Sequence, residues 1–381
     1  MIHPIGTVKS GGDSRAFLDR YRHAIRSGHI TVGCSFSPEH CESLGNIGAS
    51  PLDVLRIAVE DYGISDIRLG LRWSTLAPDN EAFSDYYDPY IDFCLNSAHV
   101  RRVLFDIGPI KTFRWPEVHV PEIVLSRLSP PPPTGSAIGP TDPIATQSYA
   151  HAGRALDYLA QRVERSNEQT RVGFAFNEPF HSFGPRGWTV NEDYLSELVT
   201  LIQHAGFGSA EFLLNSSEGL QLGRIASFFE RLLAADPTLA GRLTSGYDLY
   251  PFAPTSRVTG AIRTVRRLFP ALTGQWRSAS RSIAQAQALG YDIEVTEAQA
   301  EPWNPAPDVG DSLRHFERVL GESITYVLNP QQPASVIRMW GIEHQITRRL
   351  GGSGGQNAAI LDLTREINAI GSEPIDLGGM R

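Results

Sequence analysis

The chain has 381 residues, 41% hydrophobic and 20% charged, with a formal net charge of −8 and a pI near 5.8. This is ordinary globular composition, and an acidic balance without any Lys/Arg run argues against a nucleic-acid partner. No uncharged apolar stretch reaches the ~18 residues of a membrane span.

Strand and helix signals alternate along the chain. Ile30 to Gly33 is a short apolar run, Leu52 to Tyr62 has helical spacing, and Asp66 to Leu71 alternates like a strand. Tyr87 to Asn96 reads as a helix and Arg102 to Asp106 as a third strand. A segment without clear periodicity follows, Gly108 to Gln147, with Pro130 to Pro133 inside it. A loop this long after a strand is read as shaping a substrate site. Ser148 to Arg165 is helical, with apolar positions at Ala152, Ala155, Leu156, Leu159 and Val163. The remaining strand candidates are Val172 to Phe176, Ala210 to Leu214, Leu243 to Leu249, Asp292 to Thr296 and Ser335 to Met339, separated by helical segments.

About eight such alternations predict a parallel sheet with crossover helices, and the count fits a closed barrel better than an open sheet. No G-x-G-x-x-G follows the first strand, which disfavours a dinucleotide fold. The expected architecture is a single (β/α)8 barrel over 30–381, with 1–29 as an extension packed on it. Positions 1–12 lack the apolar core of a secretory signal, and Cys34, Cys41 and Cys94 are too few for a disulfide framework. A reducing, cytoplasmic setting is therefore expected.

Two strands stop at carboxylates. Asn177-Glu178-Pro179 closes the fourth, and Glu297 closes the seventh. Two carboxylates are what acid/base cleavage of a glycosidic bond requires: one holds a proton for the leaving oxygen, the other is an ionised nucleophile or base. A barrel gathers its active site where its strands stop. By period-2 alternation Ile293, Val295 and Glu297 share one face of strand seven, and Glu294 and Thr296 the other.

On these residues the sequence resembles the clan A glycoside hydrolases, retaining (β/α)8-barrel enzymes. In that group the acid/base glutamate follows an asparagine at the end of strand four, and the nucleophile glutamate ends strand seven. The resemblance assigns Glu178 and Glu297 to these roles, with Asn177 binding a sugar hydroxyl. It also implies an arginine near the end of strand two, here Arg68 with Arg72 in reserve. It implies a tyrosine after strand six, Tyr250 or Tyr247, and a tryptophan ending strand eight, Trp340. The resemblance covers about Ile30 to Ile370. The Trp115 and Trp303 segments match no particular family of the clan.

The implied partner is a carbohydrate, the implied linkage β, and no cofactor or metal is called for. Glu297 would need Arg68 and a tyrosine hydroxyl to stay ionised, and its charge is expected to raise the pKa of Glu178. Trp73, Trp115, Trp303 and Trp340 are the sugar-stacking candidates. A metal-dependent alternative would draw on Cys34, Glu39, His40 and Cys41, whose spacing is poor. A phosphate site at Gly351 to Gly355 is a further alternative.

Overall fold

The structure, a computed structural model, describes residues 14–45, 48–114, 116–166, 170–182, 184–217, 219–249, 283–299, 312–327, 335–352 and 355–373. Eight strands close into one parallel barrel. In chain order they are β1 (Ile30–Phe36), β2 (Asp66–Gly70), β3 (Arg102–Asp106), β4 (Arg171–Phe176), β5 (Glu211–Ser216), β6 (Leu243–Leu249), β7 (Asp292–Gln299) and β8 (Ser335–Trp340). Each pairs with its sequence neighbour, and β1 pairs with β8 to complete the ring. The fold is the expected (β/α)8 barrel.

Helices cover the outside for local reasons. Ser50 caps the helix Pro51–Glu60 with a reciprocal capping box to Asp53. Asn191 caps Glu192–His204, its side chain accepting the Tyr194 N–H at 2.9 Å. The helix Arg15–Ser27 packs against β1 and the last helix, Gly355–Gly371.

Residues 108–147 are not structureless. The segment holds a Lys111–Val118 bridge, the helix Glu122–Arg127, and a short strand Ala137–Ile138 paired with Thr189–Val190. The next helix starts at Pro143, ahead of the expected Ser148. Proline at the first helical position has no amide hydrogen to leave unpaired there. The helix Ile342–Leu350, which lay unread after β8, places Gly351 at its C-cap, so the glycine run begins at a helix end rather than at a strand end.

The barrel interior is layered. At the bottom, Asp66 on β2, Arg102 on β3, Glu294 on β7 and Arg338 on β8 form a buried ion network. Arg102–Glu294 is 2.5 Å, Arg338–Glu294 2.6 Å, Arg338–Asp66 2.7 Å, and Arg102 also pairs with Asp66. Leu104, Ala175 and Leu213 make an apolar middle layer. The polar mouth lies above it.

Burial pushes the Asp66 carboxyl up, but Arg102 and Arg338 more than offset this, so it titrates below the usual carboxylate range. Its contribution to stability is therefore present above the unfolded value of about 4 and is lost as pH falls through the lower folded value. Arg338→Met leaves two buried carboxylates short of a partner and is expected to cost about 3–5 kcal/mol. Urea unfolding measures this, and an unchanged midpoint would contradict the network's role.

Candidate active site

Arg68 organises the mouth. It is fully buried, and its Nη1 donates to Glu297 Oε1 at 2.7 Å. Its Nη2 donates to Asp106 Oδ2 and to Asn177 Oδ1, each at 2.7 Å. Burial pulls the guanidinium pKa down, but the charges of Asp106 and Glu297 more than compensate, so it is held firmly protonated. Asp106 is itself pushed above the usual range, because complete burial outweighs Arg68. One side chain from β2 thus ties together groups 109 and 229 residues away in sequence.

Glu297 reaches this cluster through a break in strand regularity. Tyr247 and Asp248 are consecutive on β6, yet they face Val295 and Glu297, with Thr296 inserted between. On the other side Ile337 and Met339 face Val295 and Ala298. The extra residue is a β-bulge, which re-aims the side chains that follow it. The expected grouping of Glu297 with Ile293 and Val295 is therefore corrected. Ile293 and Val295 join the main apolar core, while Glu297 meets Arg68. Strand β7 also runs on to Gln299, so Glu297 is within it rather than at its end. Gly246 on β6 makes room for the bulge, since a Cβ there would stand 2.0 Å from Thr296 Oγ1.

Asn177 and Glu178 directly follow β4. Glu178 has φ +35, a left-handed backbone conformation that costs a non-glycine residue about 1–3 kcal/mol. Surrounding bonds hold it there. Its N–H donates to Asn215 Oδ1 at 3.3 Å, and its carbonyl accepts from Lys111 Nζ at 2.8 Å. The carboxylate Oε1 accepts from Ser217 Oγ at 2.7 Å and Ser217 N at 3.0 Å, with His181 Nδ1 at 3.4 Å.

These bonds overturn the expected rise in the Glu178 pKa. Burial does push it up, but hydrogen bonds from His181 and Ser217, with the charge of Lys111, hold it below the usual range. The raised carboxyl is a neighbour instead. Glu117, paired with Lys111 at 3.4 Å, is pushed to about 8 by burial and by the charges of Glu178 and Glu297, against the lowering effect of Lys111.

The other expected residues divide. Trp340 ends β8, 7% exposed, with the Arg114 guanidinium 4.1 Å from its ring centroid and Phe113 edge-on at 5.6 Å. Arg114 is fixed by Glu343 at 2.9 Å, and Glu343 also accepts the Ser37 N–H at 2.7 Å. One face of this ring is thus occupied by a cation. Trp73 is wholly buried, stacked on His151 at 4.8 Å with its N–H on Asn80, so the sugar-stacking expectation for it is withdrawn. Arg72 sits outside the barrel ring at the start of the short helix Trp73–Leu76, 3.8 Å from Glu39. Tyr247 packs in the main apolar core. Tyr250, Trp115 and Trp303 lie outside the described residues.

Sequence reading missed Asp106, Lys111, Asn215, Ser217 and Asp248. Asp106 ends β3, and Asn215 and Asp248 lie one residue before the ends of β5 and β6. A polar side chain closing an otherwise apolar strand was the signal available for these three. Among the described residues, no group of three or more His, Cys, Asp or Glu could hold a metal ion. No described helix is long and apolar enough to cross a membrane.

The fold is similar to that of several solved structures. A GH5_18 protein from Bifidobacterium longum subsp. infantis aligns with a TM-score of 0.51 at 9% identity, over 88% of this chain and 78% of that one. A GH5_18 protein from Bifidobacterium longum subsp. longum aligns at 0.50 and 11% identity, over 89% and 79%. Endo-glycoceramidase II from Rhodococcus sp. aligns at 0.45 and 13% identity, over 82% and 73%. At such identities the likeness to the two GH5_18 proteins is one of fold alone. No family model and no curated protein matches the chain.

Proposed function

We propose that the protein is a retaining glycoside hydrolase of clan A, acting on a β-linked glycoside. The observation that carries this reading is the Arg68 node, which bonds Glu297 and the asparagine preceding Glu178 at once. Fold likeness to GH5_18 proteins is consistent with it. Glu297, paired with Arg68, attacks the anomeric carbon while the bond from that carbon to the leaving oxygen breaks. Glu178 gives its proton to that oxygen. In the second half, Glu178 takes a proton from water, the hydroxide oxygen bonds the anomeric carbon, and Glu297 leaves. Asn177 and Trp340 are assigned to holding the sugar.

A Glu178 carboxyl held low is protonated only at acid pH, so the rate of any substrate needing its proton rises as pH falls through that value. Ser217→Ala removes one of the lowering bonds and should move the alkaline limb of kcat/KM to higher pH. An unmoved limb would remove Glu178 from the acid role. A screen of aryl β-glycosides with the wild-type protein tests the activity itself; silence across all sugars would contradict the reading.

A further inference from the structure

Strand β6 carries a carboxyl that the two-glutamate scheme does not use. Asp248 stands opposite Glu297 in the β6–β7 register and is 1% exposed. Its Oδ2 accepts from Asn215 Nδ2 at 2.8 Å. Asn215 Nδ2 also donates to Asn177 Oδ1 at 3.2 Å, so Asp248 is oriented from the strand before it. Its Oδ1 is buried and has no hydrogen-bond donor among the described residues. An ionised oxygen left in that position bears its desolvation penalty with no bond to offset it.

A proton on Oδ1 removes this difficulty, and the resulting O–H then needs an acceptor. Glu297, a carboxylate, stands opposite it in register. The electrostatics favour the same protonation state. Burial, then the charges of Glu297 and Glu178, push the Asp248 carboxyl well above its usual range, against smaller lowering effects of Arg68 and Asn215. A carboxylic acid kept neutral at pH 7 can act as a hydrogen-bond donor inside an enzyme site.

We propose that Asp248 is the positioning residue for Glu297: its Oδ1–H bonds the Glu297 carboxylate and closes a ring that runs through Arg68, Asn177 and Asn215. The naming of Glu297 as nucleophile rests on the function proposed above; the hydrogen bond itself does not. The ring would fix the carboxylate from two sides, Arg68 on β2 and Asp248 on β6.

Infrared spectroscopy of the full chain, with Asp248→Asn and Glu297→Gln variants, tests the bond without reference to catalysis. A protonated-carboxyl C=O band is expected at neutral pH, absent in Asp248→Asn and displaced in Glu297→Gln. A band from Glu117, whose carboxyl is pushed to about 8, would persist in Asp248→Asn and so is separable. Absence of a band assignable to Asp248, or a band indifferent to Glu297→Gln, overturns the proposal.

The kinetic arm follows on any glycoside that the wild type cleaves. Asparagine keeps a donor for Glu297 and an acceptor for Asn215, so Asp248→Asn should retain kcat within about 10-fold. Asp248→Leu removes both and should lose about 10²–10³ in kcat, the typical effect of deleting one oriented donor. A leucine variant with wild-type kcat would overturn the positioning role. If no glycoside is cleaved, the glycosidase reading fails while the infrared arm still decides whether Asp248 bonds Glu297.

Discussion

Glu297→Ala is expected to abolish turnover of every glycoside the wild type cleaves, by on the order of 10⁴-fold or more, equivalent to about 5 kcal/mol of transition-state stabilisation. No other described carboxylate is bonded to Arg68 from β7, and the bulge at Thr296 is what delivers this one. Added azide should restore part of the rate in Glu297→Ala, giving a glycosyl azide of inverted configuration. Glu178→Ala should behave differently. A dinitrophenyl leaving group needs no proton, so its release should be nearly normal while breakdown of the intermediate slows. Poorer leaving groups should be cleaved far more slowly. Azide should rescue Glu178→Ala with retained configuration. If both variants cleave aryl glycosides at the wild-type rate, the two-glutamate assignment fails.

Arg68→Met is expected to damage activity and stability together. The guanidinium is the partner of two buried carboxylates, Asp106 and Glu297, with side-chain exposures of 0% and 4%. Removing a cation from such a site leaves uncompensated buried charge, typically worth about 3–5 kcal/mol. Glu297 would also lose its orientation, so kcat should fall by roughly 10³-fold or more. The two effects separate in a double variant. Asp106→Asn in the Arg68→Met background removes one stranded charge and should recover part of the stability, measured by urea unfolding. It should recover none of the activity, because Glu297 is still without its partner. Recovery of both would mean that Arg68 acts through folding alone.

The strand ladder was legible because burial on both faces of a parallel barrel gives short apolar runs separated by amphipathic helices. Val172 to Phe176 and Asp292 to Thr296 were found that way, and with them the positions of Glu178 and Glu297. The direction in which Glu297 points was not legible. Period-2 reasoning sends it to the side of Val295, and a single inserted residue reverses that. Similarly, Tyr247 carries a hydroxyl near the end of β6, yet its ring packs in the main apolar core, while Asp248, next along the strand, stands opposite Glu297 in register. In the 108–147 segment, proline-rich composition concealed a short helix and a strand pair. Its contribution to the mouth, Lys111 and Glu117, depends on a tight turn with Arg114 and Glu117 at positive φ, which no residue type there announces. The pKa order of the carboxyls was least legible of all. It depends on which donors reach Glu178, and Ser217 and His181 come from loops rather than strands.

The most direct test is trapping with a panel of 2-deoxy-2-fluoroglycosides bearing good leaving groups, followed by intact-mass and peptide mapping. The account predicts one added glycosyl group, attached to Glu297, on the sugar whose parent glycoside the protein cleaves. A label on another carboxylate such as Glu117, or turnover of the parent glycoside with inversion and no label at all, would contradict it.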